Sequence, residues 1–127
     1  MNNSEDRVLT GMVVLVAEDE PLVAMALQDE LEAAGATVVG PAGTVEGALG
    51  LLDGRTIDAA VLDIKLQSDL VFPLADALAA RGVPYLFTTG FSADSIPASY
   101  AHIPTCEKPA SANAIVDALS RWTRPDA

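Results

Sequence analysis

The stretch Met12-Val-Val-Leu-Val-Ala17-Glu18-Asp19 decides how the chain is read. Its apolar part is unbroken and rich in β-branched residues, the pattern of a strand buried on both faces. Two carboxylates follow at once. A second run, Asp58-Ala-Ala-Val-Leu-Asp63, also ends in an acid. A short third segment, residues 103–106, leads into Glu107-Lys108-Pro109 and so brings a cation. These endings predict acids and one lysine gathered along one edge of a sheet.

Helical spacing fills the gaps between the strands. Pro21 suits a helix start, where its missing N–H costs nothing. Val23, Leu27, Leu31 and Ala34 then recur on one face, and Gly35 is the expected terminator. Residues 36–40 read as the second strand. Thr44 is placed to cap a helix with Val45, Ala48, Leu49 and Leu52 inward. Leu74, Ala75, Leu78 and Ala79 mark a third helix that ends near Gly82, and residues 83–88 read as the fourth strand. Pro84 is tolerable at a strand start. Ser111 is placed to cap a last helix with Ile115, Val116, Leu119 and Trp122 inward. Residues 90–102 are small, polar and interrupted by Pro97. They leave room for one helical turn, so the fourth helix is expected to be short, displaced or mobile.

Strand and helix alternate with short connections. That argues an α/β chain with a five-stranded parallel sheet and helices on both faces. The 127 residues fit one domain over residues 10–124, with a flexible tail over 1–9 and a short tail over 125–127. No apolar stretch reaches the roughly 18 residues of a bilayer span, and the N-terminus lacks a signal-peptide core. The expectation is a soluble, cytoplasmic protein. The net charge of −11, from 7 basic and 18 acidic residues, argues against nucleic acid and anionic membranes as direct partners. The single Cys106 excludes an internal disulfide and reads as a small buried residue. His102 reads as a solvated loop residue and Trp122 as a packing residue.

In an open parallel sheet, ligands bind beyond the carboxyl ends of the strands. Glu18, Asp19, Asp63, Thr88, Thr89 and Lys108 all fall there. Two unit charges ~4 Å apart repel by about 1 kcal/mol in water and about 4 kcal/mol at an effective dielectric of about 20. Such a cluster therefore calls for a divalent cation, a lysine or a bound proton. Oxygen ligands without His or Cys favour magnesium or manganese. A carboxylate beside such an ion can attack phosphorus and form an acyl phosphate. The cation and the lysine then offset charge on the transferring oxygens, and a threonine hydroxyl can donate to one of them.

Val-Leu-Val-Ala-Glu18-Asp19-Glu20-Pro21, Val-Leu-Asp63, Thr-Thr89-Gly90 and Lys108-Pro109, in that order and each at an expected strand end, resemble the response-regulator receiver domains of two-component signalling. The resemblance covers essentially the whole folded length and implies a flavodoxin-like (CheY-like) fold with five helices. It implies Asp63 as phosphoacceptor, with Asp19 ligating Mg²⁺ directly and Glu18 through water. The Lys65 backbone carbonyl would be a further ligand. Lys108 would pair with Asp63 and then with the phosphoryl group. Thr89 would be the switch hydroxyl, ahead of Thr88, because the family's threonine precedes a small residue, here Gly90.

Pro84-Tyr-Leu-Phe87-Thr-Thr89-Gly90-Phe91 is similar to the single-domain receivers with a Phe-Ala-Thr-Gly-aromatic signature. That subgroup implies a stand-alone phosphorelay regulator. It would be charged by a histidine kinase or histidine phosphotransferase and would signal to a downstream protein by contact, with the region after the fourth strand as its bistable element. Three positions depart from the pattern. Thr105 stands where many receivers carry an aromatic, Ser68 where glycine is common, and Ala110 where a bulky apolar residue is common. Two other readings fit less well. An aspartyl phosphatase would want a second acid at the position of Lys65. A receiver-like module that is never phosphorylated would not need the full set of acids, threonine and lysine.

Overall fold

The computed structural model describes residues 8–90, 96–108 and 111–122. The strands are β1 (Val13–Ala17), β2 (Thr37–Ala42), β3 (Ala59–Asp63), β4 (Lys65–Leu66), β5 (Asp69–Leu70), β6 (Tyr85–Thr89) and β7 (Thr105–Glu107). The α-helices are α1 (Pro21–Ala33), α2 (Val45–Leu51), α3 (Phe72–Ala80) and α4 (Ala112–Trp122). A parallel five-stranded sheet runs in the order β2-β1-β3-β6-β7. The doubly wound fold read from the sequence is the fold observed.

The apolar strands are buried on both faces because alternate residues feed two cores. Leu15, Ala60, Leu62 and Phe87 point to one face, against Ala48, Leu74 and Leu78 of α2 and α3. Val14, Val16, Val61 and Leu86 point to the other, against Leu27, Leu31, Ile115 and Leu119 of α1 and α4. The expected caps form: Thr44 Oγ1 accepts from the Gly47 N–H at 3.0 Å and Ser111 Oγ from the Ala114 N–H at 3.0 Å. Gly35 follows α1 with φ of 103°, a backbone that favours glycine.

Several boundaries and faces differ from the reading. β2 continues past Gly40 through Pro41 to Ala42, which an edge strand tolerates because a proline there leaves no central ladder bond unmade. Leu9, the last residue of the expected N-terminal tail, is fully buried in the α1/α4 core, while residues 1–7 of that tail, and residues 123–127 with the expected C-terminal tail over 125–127, lie outside the described residues. On α1 the buried stripe is Ala24, Leu27 and Leu31, and Val23 sits at its exposed edge. Ala79 faces outward on α3. Trp122 is 40% exposed: α4 buries Ile115, Val116 and Leu119, and at its last turn Trp122 lines a surface groove with Pro84, Tyr85 and Ile103. Cys106 is half-buried, and burial raises its thiol pKa.

The segment after β3 has no strand period in the sequence, yet it is structured. It forms a hairpin, Lys65 opposite Leu70 and Leu66 opposite Asp69, with Gln67 at the turn in the left-handed region (φ 57°). Of the fourth-helix segment, residues 91–95 lie outside the described residues. The remainder makes one 3₁₀ turn, Ala98–Tyr100. Among the described residues, the five expected helices are therefore four α-helices and this turn. The turn is held to α3: the Tyr100 ring stacks on Phe72 with centroids 4.5 Å apart, and its hydroxyl donates to Asp76 Oδ1 at 2.6 Å.

Candidate functional site

Parallel strands bring their carboxyl ends to one edge. Ala17 is level with Leu62, Asp63 with Thr88, and Thr89 with Glu107. The residues that follow these positions therefore converge, although they are far apart in sequence. Glu18 leaves β1 with its N–H bonded to the Ala42 carbonyl at 2.9 Å, and the Lys108 N–H donates to the Thr89 carbonyl at 2.7 Å. These backbone bonds hold the chain on both sides of Asp63.

Carboxylate oxygens of Glu18, Asp19 and Asp63 all lie within 4.8 Å of one another. Glu18 and Asp63 are 5% and 7% exposed, so their mutual repulsion is poorly screened. Lys108 offsets it. Its Nζ lies 2.9 Å from Asp63 Oδ2, 3.1 Å from Glu18 Oε1 and 3.5 Å from Glu20 Oε1. For Lys108, burial disfavours the charged form, but hydrogen bonds to Asp63 and Glu18 outweigh it and raise the ammonium pKa above its usual range. For Glu18, burial raises the carboxyl pKa, with the charge of Asp63 adding. The Glu20 N–H and Lys108 pull the other way.

Asp19 is fixed from the hairpin: its Oδ2 accepts the Gln67 N–H at 2.6 Å. This leaves its other oxygen for a cation. Three hard oxygen donors from three side chains, with no nitrogen or sulfur ligand among them, fit magnesium, manganese or calcium. One lysine among three acids is also too little charge to neutralise them, which fits a divalent ion.

The structure brings together Glu18, Asp19, Asp63 and Lys108 as the sequence predicts. Thr88 and Thr89 are both buried at the end of β6, 3% and 1% exposed. Thr88 lines a cavity of about 20 Å³ with Glu18, Lys108 and Val23, large enough for about one water. Lys65 sits two residues past Asp63 with an exposed side chain, in β4. Two contributors were missed. Glu20 reaches Lys108, and its signal was its place in the run Glu18-Asp19-Glu20. The Gln67 N–H holds Asp19 and had no sequence signal, because a backbone donor carries none.

Comparison with family models returns no match, and comparison with curated proteins returns none. Solved structures are similar. The solution structure of SdrG from Sphingomonas melonis Fr1 is 41% identical, with a TM-score of 0.75, covering 91% of this chain and 97% of that one. The BeF3-activated conformation of SdrG from Pseudomonas melonis Fr1 is 40% identical, with a TM-score of 0.74, over 88% of this chain and 96% of that one. A response regulator from Burkholderia pseudomallei, solved with a phosphorylated aspartic acid, a calcium ion and citrate, is 26% identical. Its TM-score is 0.74, over 85% of this chain and 66% of that one. With the sheet order, the acid cluster and an identity of 41% over nearly the whole of a receiver, the chain belongs to the CheY-like response-regulator receiver family.

Proposed function

We propose that this receiver is a phosphorelay acceptor in which Asp63 takes a phosphoryl group from a phosphohistidine. The observation that carries the reading is Lys108 Nζ at 2.9 Å from Asp63 Oδ2, beside the clustered carboxylates of Glu18, Asp19 and Asp63. An Asp63 oxygen attacks phosphorus, the P–N bond to the donor imidazole breaks, and the imidazole leaves with a proton. The product is an acyl phosphate on Asp63. Lys108 follows the transferring oxygens and offsets their charge. The Thr89 hydroxyl is the group that donates to the phosphoryl oxygen, which makes the end of β6 the sensor of the modified state. A divalent cation held by Asp19, Asp63, Glu18 through water and the Lys65 carbonyl would supply the remaining charge neutralisation. Mg²⁺ is the proposed ion. The phosphorylated aspartic acid and calcium ion of the Burkholderia relative support both halves of the reading.

A receiver is not a conventional enzyme; the chemistry here is limited to its own phosphorylation and its reversal. The donor would be a histidine kinase or histidine phosphotransferase. Leu22, Val23, Ala26, Leu27, Ala112 and Ile115 line an apolar groove between α1 and α4, and Val23, Leu27 and Ile115 also line the cavity that reaches Glu18 and Lys108. A donor helix seated in this groove would bring its histidine to Asp63. The output is contact with a downstream protein.

Phosphoramidate, which carries the same P–N bond as phosphohistidine, tests the chemistry. With Mg²⁺ the wild type is expected to gain one phosphoryl group and Asp63→Asn none. Equal gain by both, or none by a folded wild type, contradicts the proposal.

A further inference from the structure

The geometry points to Glu20 as a positioning residue that holds Lys108 in the unphosphorylated site and must release it for transfer. The inference rests on the phosphoacceptor reading of Asp63. An ammonium has three N–H donors, and Lys108 faces three carboxylates, at 2.9 Å (Asp63), 3.1 Å (Glu18) and 3.5 Å (Glu20). The three holds are unequal. The side chains of Glu18 and Asp63 are 3% and 9% exposed, whereas that of Glu20 is 64% exposed.

Local structure explains why Glu20 is turned this way. It occupies the N-cap position of α1, with extended backbone (φ −90°, ψ 114°), yet its side chain makes no capping hydrogen bond. Glutamate is one methylene too long to cap well, and Pro21 at the first helical turn already removes one N–H that would need a cap. The Glu20 N–H donates to Glu18 Oε2 at 3.1 Å and its carbonyl accepts the Ala24 N–H at 2.9 Å, so its backbone is pinned on both sides. The carboxylate is left free of the helix and lies against Lys108.

Transfer of a phosphoryl group onto Asp63 adds oxygens that Lys108 must reach. The exposed contact is the weakest of the three and the first to give way. In the resting site it keeps the ammonium on the solvent side of the cluster. Loss of this contact frees Lys108 to follow the phosphoryl group from the start.

The test separates this hold from a simple field effect. Glu20→Gln removes both charge and ion pair. Glu20→Asp keeps the charge but is shorter, and aspartate at an N-cap turns to the helix N–H groups instead. Phosphorylation by phosphoramidate with Mg²⁺ is expected to quicken roughly two- to fivefold in both variants, the worth of one exposed ion pair. The ¹⁵N resonance of the Lys108 ammonium, read without any phosphodonor, is expected to move in both. A rate gain in Glu20→Gln alone would mean that charge acts on the donor and not through Lys108, and would overturn the inference. So would an unmoved ammonium resonance in both variants. A wild type that takes no phosphate overturns the rate half together with the phosphoacceptor reading, while the ammonium signal still reports on the Glu20–Lys108 pair by itself.

Discussion

Lys108 Nζ lies 2.9 Å from Asp63 Oδ2 and 3.1 Å from Glu18 Oε1, so one cation bridges the acids that end β1 and β3. Removing it leaves buried carboxylates facing each other. Because the lysine side chain is 20% exposed, the full cost of breaking a buried pair does not apply. Lys108→Ala is expected to lower unfolding stability by about 2 kcal/mol in the absence of divalent ions. Urea denaturation in a chelating buffer measures this, and added Mg²⁺ is expected to restore part of the loss.

Glu18 yields a pH dependence with a definite sign. Its carboxyl pKa is raised above the usual 4.5 because the group is buried, with Asp63 adding to the effect. A group that holds its proton more tightly when folded contributes stability that is fully present below the unfolded pKa. That contribution is lost as pH rises through the folded value. Glu18→Gln keeps the shape without the ionisation, and Lys108 retains Asp63. The variant is expected to be more stable than wild type at neutral pH, with the difference shrinking as pH falls through the raised folded value towards about 4.5 and staying constant below it. Thermal unfolding across that range checks it.

A divalent ion that binds the folded state alone raises stability by about 2.7 kcal/mol at a hundredfold excess over its dissociation constant. Wild type is expected to show a rise in Tm on titration with Mg²⁺ and with Mn²⁺. Asp19→Asn is expected to lose most of that response while folding normally, because the Gln67 N–H still has an oxygen to bond. An equal response in wild type and variant would remove Asp19 from the ligand set.

Tyr100 tethers the 3₁₀ turn to α3 through Asp76. That hydrogen bond to a carboxylate, followed by burial, pushes the Tyr100 hydroxyl from 10.0 up to about 12. The stability it contributes is fully present below pH about 10 and is lost as pH rises towards 12. Tyr100→Phe keeps the ring stack on Phe72 and is expected to cost about 1 kcal/mol at neutral pH. Spectrophotometric titration is expected to show the highest tyrosine transition missing in the variant.

Much of this was legible before the structure because buried parallel strands advertise themselves. Val13–Ala17 and residues 59–62 are unbroken apolar runs, and the acids after them had no packing reason to be there. The caps Thr44 and Ser111 were legible for the same local reason. What was hidden depends on partners distant in sequence. Gly40-Pro41 reads as a strand end, yet β2 is an edge strand and can carry a proline. The β4–β5 hairpin lies in a polar stretch with no strand period, and Gln67 takes a left-handed turn that residue type does not announce. Trp122 fits the helical stripe of α4 but belongs to its last turn, where burial against the sheet gives way to a surface groove. In the site, side chains were readable by type. The backbone donor from Gln67 and the reach of Glu20 to Lys108 were not.

The central claim is that Asp63 is the phosphoacceptor, and the most direct measurement is chemical mapping of the phosphate. Wild-type protein is treated with acetyl phosphate and Mg²⁺, reduced with borohydride, which converts an aspartyl phosphate to homoserine, and sequenced by tandem mass spectrometry. Homoserine at position 63, absent when Mg²⁺ is chelated and absent in Asp63→Asn, is the predicted result. Homoserine at Asp19 or any other acid with Asp63 unmodified, or no conversion in a folded wild type, would contradict it.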